Sequence, residues 1–225
     1  FNGLIELPKD RAHWSITLLF ILLAYLLSFW VRLEWIDFAQ ANYVDESGEV
    51  QYLRSDMLRN GVALPNTHDS FYFGSILQKG HLGMHQDNHL IPSVLKNGMI
   101  TYLPYLLLKF FPSLDIEYLL LWIPVYVAGI VCIPIVLIGR LYGSSLWGLF
   151  AACLAGITHS YYNRTLAGYY DTDMFSITVP AFALYFLVSA SRRNSFNFAF
   201  FAALSLYLYN FFYSSSQAIT ASLAV

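Results

Sequence analysis

Ile91-Pro92-Ser93-Val94-Leu95-Lys96-Asn97-Gly98-Met99-Ile100-Thr101-Tyr102-Leu103-Pro104-Tyr105-Leu106-Leu107-Leu108-Lys109-Phe110-Phe111-Pro112 either crosses a membrane or lies along it. The choice fixes the face occupied by every later segment. The run is apolar, yet it holds Lys96, Asn97, Gly98, Pro104 and Lys109. Its uninterrupted apolar part is roughly a dozen residues, whereas a spanning helix needs about twenty. It reads as an interfacial or re-entrant segment.

The surrounding chain is that of a membrane protein. Of its 225 residues, 57% are hydrophobic and 12% charged, half the charged share of an ordinary soluble domain. The apolar residues come in long blocks. The formal net charge of −2 carries little information, and no basic run points to nucleic acid. Seventeen Tyr and eighteen Phe suit a lipid-facing surface and interfacial belts. Cys132 and Cys153 lie inside apolar blocks and read as small hydrophobes, silent about redox compartment. The opening block is too long for a signal-peptide core and lacks a small-residue cleavage site. A start without Met and an end inside an apolar run (Ser222-Leu223-Ala224-Val225) suggest a piece of a longer protein.

Working outward, the spans fall at about 14–35, 117–139, 145–160, 174–190 and 196–212, with another starting at 216–225. A first external loop occupies 36–116 and a second 161–173. The expected fold is an all-α polytopic membrane helical bundle with a long structured first loop. If 91–112 does not cross, Lys9/Arg11, Arg140 and Arg192/Arg193 all fall on the cytoplasmic side, as the positive-inside rule requires. If it crosses, Arg140 and the arginine pair fall outside. The non-crossing choice puts 36–116, 161–173 and Tyr213–Gln217 on one external face. The first loop carries Asp37, Asp45, Glu46, Glu49, Asp56, Asp69 and Asp87, together with His68, His81, His85 and His89. Within it, Val50 to Asn60 shows a helical amphipathic pattern through Val50, Leu53, Met57 and Leu58.

The second loop is a polar island, Ser160-Tyr161-Tyr162-Asn163-Arg164-Thr165-Leu166-Ala167-Gly168-Tyr169-Tyr170-Asp171-Thr172-Asp173. Ionisable groups at the end of a hydrophobic segment are functional candidates. Two aspartates at i, i+2 converge only if the loop turns, and with a third carboxylate from elsewhere they suit one hard divalent cation. Arg164 is placed to balance a carboxylate or meet a phosphate. The plain alternative is a solvated loop cap beside a tyrosine belt. Outside a bacterial membrane there is no ATP, so glycosyl transfer there uses lipid-phosphate-linked sugars. A metal held by aspartates suits a pyrophosphate leaving group.

From Ser160 to Met174 the island resembles the second external-loop motif of the bacterial single-subunit oligosaccharyltransferases, the PglB type. Gly83-Met84-His85-Gln86 is similar to that family's first-loop Gly-aromatic-His-Gln stretch, and Tyr213-Ser214-Ser215-Ser216 falls near its Tyr-Pro-Ser-Ser. The resemblance runs from Trp14 to the end and is weakest over 36–68. It implies a GT-C-type glycosyltransferase that moves an oligosaccharide from a polyprenyl-pyrophosphate carrier to the asparagine amide of an Asn-x-Ser/Thr sequon. The site would face the periplasm of a bacterial inner membrane. The implied partners are the lipid-linked donor, a sequon-bearing acceptor and membrane lipids. The implied cofactor is Mg2+ or Mn2+, held by Asp171 and Asp69, with Asp173 in support of the metal or the acceptor amide and Arg164 orienting the carboxylates. Asp69-Ser70-Phe71-Tyr72-Phe73 is the best match to the family's Asp-Gly-Tyr-x-Phe context; Ser70 stands where Gly is usual, and Ser75 where an acidic residue is usual. Asp45 and Asp56 are alternatives to Asp69. The family's downstream glutamate, and the Trp-Trp-Asp motif of its C-terminal periplasmic domain, would lie beyond Val225.

Tyr213, His85, His159 and Tyr170 are further candidates for substrate contact, with interface solvation as the plain alternative for His159 and Tyr213. His81, His85 and His89 are spaced by four and would form a zinc site if helical, but Gly80, Gly83 and Asp87-Asn88 argue against a helix there. Gly129, Gly139 and Gly148 suit close helix packing. Another polyprenyl-phosphate-sugar transferase would not be expected to hold the Tyr-Tyr-Asn-Arg-Thr block. A transporter would place ionisable residues in mid-helix, and these segments hold almost none.

Overall fold

The computed structural model describes residues 10–213 and 216–224. Lys9, Ser214 and Ser215, used in the sequence reading, lie outside the described residues. In chain order the helices are α1 (Trp14–Val31), α2 (Glu34–Ala39), α3 (His68–His81), α4 (Met99–Phe110), α5 (Ile116–Ala128), α6 (Cys132–Leu141), α7 (Ser145–Ile157), α8 (His159–Asn163), α9 (Asp173–Ser176), α10 (Thr178–Arg193), α11 (Phe196–Phe212) and α12 (Ser216–Ala224). Between α2 and α3 lie β1 (Asn42–Val44), β2 (Val50–Tyr52), β3 (Leu58–Arg59) and β4 (Val62–Ala63).

The protein is an all-α, multi-pass membrane protein. Among the described residues three helices are long and apolar enough to cross a bilayer: Trp14–Ala39, Ile116–Leu141 and Asp173–Arg193, of 26, 26 and 21 residues. The contested stretch supplies α4, whose 12 residues reach about 18 Å, well short of an apolar layer about 30 Å thick.

The chain divides into two compact units. One comprises Phe1–Phe29, Ala128–Tyr161 and Phe175–Val225. Its helices are built inside out relative to a water-soluble protein. On α1 the buried positions are Thr17, Ala24 and Ser28, whereas Leu18, Leu19, Leu22, Leu23 and Leu26 are exposed. Lipid tails are as apolar as leucine, so small residues are used where backbones must approach. On α7 the buried face is Ser145, Gly148, Ala152 and Gly156. A Cβ at Gly139 would stand 2.4 Å from the Gly148 Cα, and one at Gly148 would stand 2.7 Å from the Val136 carbonyl oxygen. The α6–α7 contact is therefore backbone against backbone.

The basic residues of this unit gather at one end. Arg140 donates to Ala12 O (3.0 Å) and lies over the Trp14 ring, and Asp10 accepts the Ser145 N–H at 2.7 Å. Arg192 lies over the ring of Tyr142, two residues past Arg140. At the end of α7 away from Asp10, the buried Tyr161 hydroxyl bonds the Ala128 carbonyl (3.1 Å) and the Thr178 hydroxyl (3.0 Å).

The other unit comprises Trp30–Val127 and Tyr162–Met174. Here the sequence reading needs correction: Val50–Asn60 is not an amphipathic helix. Two antiparallel hairpins occupy the region, Asn42–Val44 against Val50–Tyr52 and Leu58–Arg59 against Val62–Ala63. The second turns on Asn60 (φ 52) and Gly61 (φ 76). An Asn-Gly pair with both φ values positive is the preferred two-residue hairpin turn, and it outweighs the helical spacing around it. In the first, the Asp45 carboxylate accepts from Ser47 N (2.9 Å), Ser47 Oγ (2.6 Å), Glu49 N (3.0 Å) and Gln51 Nε2 (3.0 Å).

Helix α3 holds two glycines in its interior. Thr67 caps it, accepting the Ser70 N–H at 3.1 Å. Gly74 and Gly80 sit inside the helix because a Cβ would stand 2.9 Å from Leu120 Cδ1 or 2.4 Å from Val94 Cγ2. They are packing glycines.

Gly148→Ala pushes a methyl into the α6–α7 backbone contact. Overpacking of this kind costs roughly 1–3 kcal/mol. Thermal unfolding of the intact protein in detergent should show a clear fall in Tm, while the same scan on Leu154→Val, on the exposed face, should show almost none.

Candidate functional site

The polar island folds as a turn lashed to its own unit on both sides. Helix α8 ends at Asn163, and Gly168 takes φ +79, a conformation glycine adopts without strain. On one side the Gly168 N–H donates to Leu121 O (2.9 Å) and the Ala167 N–H to Arg32 O (3.0 Å). Arg32, with no exposed surface, donates from Nε to Thr165 Oγ1 at 2.9 Å. On the other side Asn66 donates from its backbone N to Gly168 O (3.1 Å) and from Nδ2 to Ala167 O (3.3 Å). A Cβ at Gly168 would meet Pro65 Cα at 3.2 Å, so that close approach also requires glycine.

This turn carries the candidate carboxylates. Asp173, nearly buried at the start of α9, accepts from Arg164 Nη1 at 2.9 Å. The hydrogen bond and charge of Asp173 raise the already high pKa of Arg164, so the guanidinium stays charged. Asp171 is half-buried. Its Oδ1 accepts from Thr172 N (2.5 Å) and Thr172 Oγ1 (3.2 Å), while Oδ2 takes no bond from the described residues. Burial lifts the Asp171 carboxyl above the usual aspartate range. The Thr172 N–H opposes the rise, and the charges of Asp173 and Asp69 add to it. Asp69 is therefore within electrostatic reach of Asp171. It sits exposed in the first turn of α3, and its side chain has no hydrogen bond or ion pair among the described residues.

Two neighbouring carboxylates without a direct ion pair, Arg164 reaching Asp171 only at longer range, are a candidate site for a cation. Among the described residues no group of three His, Cys, Asp or Glu converges. Two suffice for Mg2+ or Mn2+ where waters and substrate phosphate oxygens complete the shell, so the residues present fit such an ion. Asp45 is not one of them: its four bonds within the hairpin hold its pKa at about 2, and the carboxylate is committed to that turn. Asp56 lines the same open cavity of about 570 Å³ as Asp69, together with Trp35, Asn66, His68 and Phe71.

The other candidates separate. Tyr170 is 1% exposed, its hydroxyl bonds Ile100 O at 2.5 Å, and its ring packs edge-on to Phe73. The expectation that it touches substrate gives way to a structural one: Tyr170 anchors the turn from below. His85 is exposed at φ 55 with Nε2 3.2 Å from Gln78 Oε1. Since α3 ends at His81, His81, His85 and His89 share no helical face. His159 and Tyr213 belong to the other unit, where His159 is exposed at the start of α8 and Tyr213 stacks on Tyr209 at 5.6 Å. Arg32 and Ser70 escaped the sequence reading as site residues. Arg32 was visible only as a lone charge ending an apolar block, and Ser70 only as a departure from glycine.

Residues 95–223 match the family model described as oligosaccharyl transferase STT3, N-terminal. Two curated proteins from Campylobacter jejuni strains, each named undecaprenyl-diphosphooligosaccharide–protein glycotransferase, are 31% and 32% identical to the chain over 203 residues. The match covers 90% of this chain and 26% of each relative, so the chain spans about a quarter of their length.

Because the folded pKa of Asp171 lies above the ordinary 3.8, the native chain holds a proton there more tightly than the unfolded chain does. The resulting stability deficit is absent below 3.8 and grows as pH rises through the folded value. In metal-free protein, Asp171→Asn should raise Tm at pH 7, and the gain should vanish as the pH approaches 4. Thermal scans across that range check both.

Proposed function

The chain belongs to the oligosaccharyl transferase STT3 family, and we propose that its protein transfers an oligosaccharide from a polyprenyl-pyrophosphate carrier to the side-chain amide of asparagine in an Asn-x-Ser/Thr sequon. The supporting observation is the pairing of Asp69 with Asp171. They come from segments about a hundred residues apart, neither makes a direct ion pair among the described residues, and both lie beside a turn whose third carboxylate, Asp173, is held by Arg164.

Asp69 and Asp171 would hold Mg2+ or Mn2+, which when bound offsets the charge developing on a departing pyrophosphate. The remaining demand is on the acceptor. An amide nitrogen is a poor nucleophile because its lone pair is conjugated with the carbonyl. Carboxylates that accept hydrogen bonds from its N–H groups turn it out of conjugation and favour attack. The nitrogen–C1 bond then forms as the C1–oxygen bond to pyrophosphate breaks, the bonding pair leaves with the pyrophosphate oxygen, and one amide proton passes to water. Asp173, oriented by Arg164, supports this arrangement. The cavity beside Asp69 leaves the exposed carboxylate open to substrate. The site faces the periplasm of a bacterial inner membrane in this reading, with Arg140, Arg192 and Arg193 on the cytoplasmic side.

In vesicles containing the intact protein, Asp69→Ala and Asp171→Ala should each lower metal-dependent transfer to an Asn-x-Thr peptide by about a hundredfold or more. Wild-type rates in both would exclude the paired-carboxylate site. In a cysteine-free background, His89→Cys should react with an impermeant maleimide from the external side, and Arg193→Cys only after permeabilisation. The opposite pattern would invert the topology.

A further inference from the structure

Ser70 lies between the two candidate ligands in a way its sequence position does not suggest. It follows Asp69 directly, and its side chain has 0% exposure. Its Oγ donates to Gly168 O at 2.8 Å and accepts the N–H of Tyr170 at 2.8 Å. The Thr67 hydroxyl, 2.7 Å away, fills the remaining acceptor position. A hydroxyl offers one proton and two lone pairs, so Ser70 is saturated. Tyr170 is the residue before Asp171. One side chain thus joins the backbone beside one carboxylate to the backbone beside the other.

Helix formation does not require this bond. Thr67 already satisfies the Ser70 N–H, and a serine in the first turns of a helix usually bonds within its own helix or to solvent. Here the hydroxyl goes instead to the turn at 168–170. In the family pattern that the sequence resembles, this position is glycine, which has no side chain with which to make the link. Asn66 contributes two more bonds across the same seam, but both end at Ala167 and Gly168. Phe73 packs on the Tyr170 ring, but among the described residues Ser70 alone bonds the backbone of Tyr170, next to Asp171.

We propose that Ser70 is a positioning residue that sets the separation of Asp69 and Asp171 and so the affinity of the pair for a divalent cation. The inference rests on the paired-carboxylate reading above. Without the hydroxyl, Tyr170 N and Gly168 O lose a buried partner, and the turn is free to settle at another distance from α3.

The test is direct Mn2+ binding to the purified intact protein, read from the electron paramagnetic resonance of free Mn2+ without donor or acceptor. Ser70→Ala and Ser70→Gly should each bind Mn2+ about 10- to 100-fold more weakly, the range expected when a partner behind a metal ligand is removed. Transfer should recover toward the wild-type rate at high Mn2+, with the peptide KM unchanged. Gly148→Ala, destabilised in the other unit, should keep wild-type Mn2+ affinity, which separates positioning from general loss of stability. Wild-type affinity in Ser70→Ala, with binding lost in Asp171→Ala, overturns the role of Ser70 alone. Wild-type affinity in both Asp69→Ala and Asp171→Ala overturns the metal reading and this inference with it. If Ser70→Ala yields no folded protein, Ser70→Cys, whose thiol is a weaker donor and acceptor, should show an intermediate loss. Unchanged affinity there also overturns the proposal.

Discussion

The site depends on a seam of hydrogen bonds between 66–70 and 167–170. Six polar groups meet there: Asn66 N and Nδ2, Ser70 Oγ, Ala167 O, Gly168 O and Tyr170 N. All are buried or half-buried, so each bond is worth more as an avoided penalty than as a gain. A buried donor or acceptor left without a partner costs about 1–3 kcal/mol. Because the two segments are about a hundred residues apart, only the folded unit can bring them together. Once together they leave little freedom. Gly168 cannot accept a side chain, Tyr170 is fixed through Ile100 and Phe73, and Arg32 fills the space behind Thr165.

Rigidity beneath the turn is matched by unspent charge above it. Asp173 is paired directly with Arg164, whereas Asp171 and Asp69 make no direct ion pair among the described residues. A protein optimised only for stability would pair them or exchange them for amides. A carboxyl that burial and neighbouring carboxylates hold above the usual range is a candidate functional group for this reason: the arrangement is unfavourable until a ligand completes it. The contrast with Asp45 is instructive. That aspartate lies in the same loop and is equally acidic in sequence, yet all its acceptor capacity goes to a hairpin turn.

Periodicity misled where local turn chemistry was stronger. Val50, Leu53, Met57 and Leu58 fall at helical spacing, but Asn60-Gly61 closes a hairpin, and the segment follows the turn. Gly74 and Gly80 lie inside α3 although glycine is a poor helix former in isolation. Their real partners, Leu120 and Val94, lie elsewhere in the chain, and contact at 2.9 Å and 2.4 Å from a notional Cβ is invisible to any reading of local propensity. The same holds for Tyr170, which looks like a substrate-facing tyrosine beside Asp171 until its burial is seen.

The sequence by itself determined the membrane character, the position of the polar island and the residue types that make its chemistry possible. Hydrophobic length and the sites of Lys and Arg are one-dimensional properties, and the bilayer reads them as such. It also singled out Asp171, Asp173 and Arg164, which lie within ten residues of one another. The tertiary structure alone decided that Asp69, rather than Asp45, stands free near Asp171, and that Ser70 and Arg32 hold the turn in place. Apart from the local turn that takes up Asp45, those outcomes depend on bonds that span about a hundred residues or more. No local pattern encodes such a bond, because each half is an ordinary polar residue until the chain folds and water is excluded from between them.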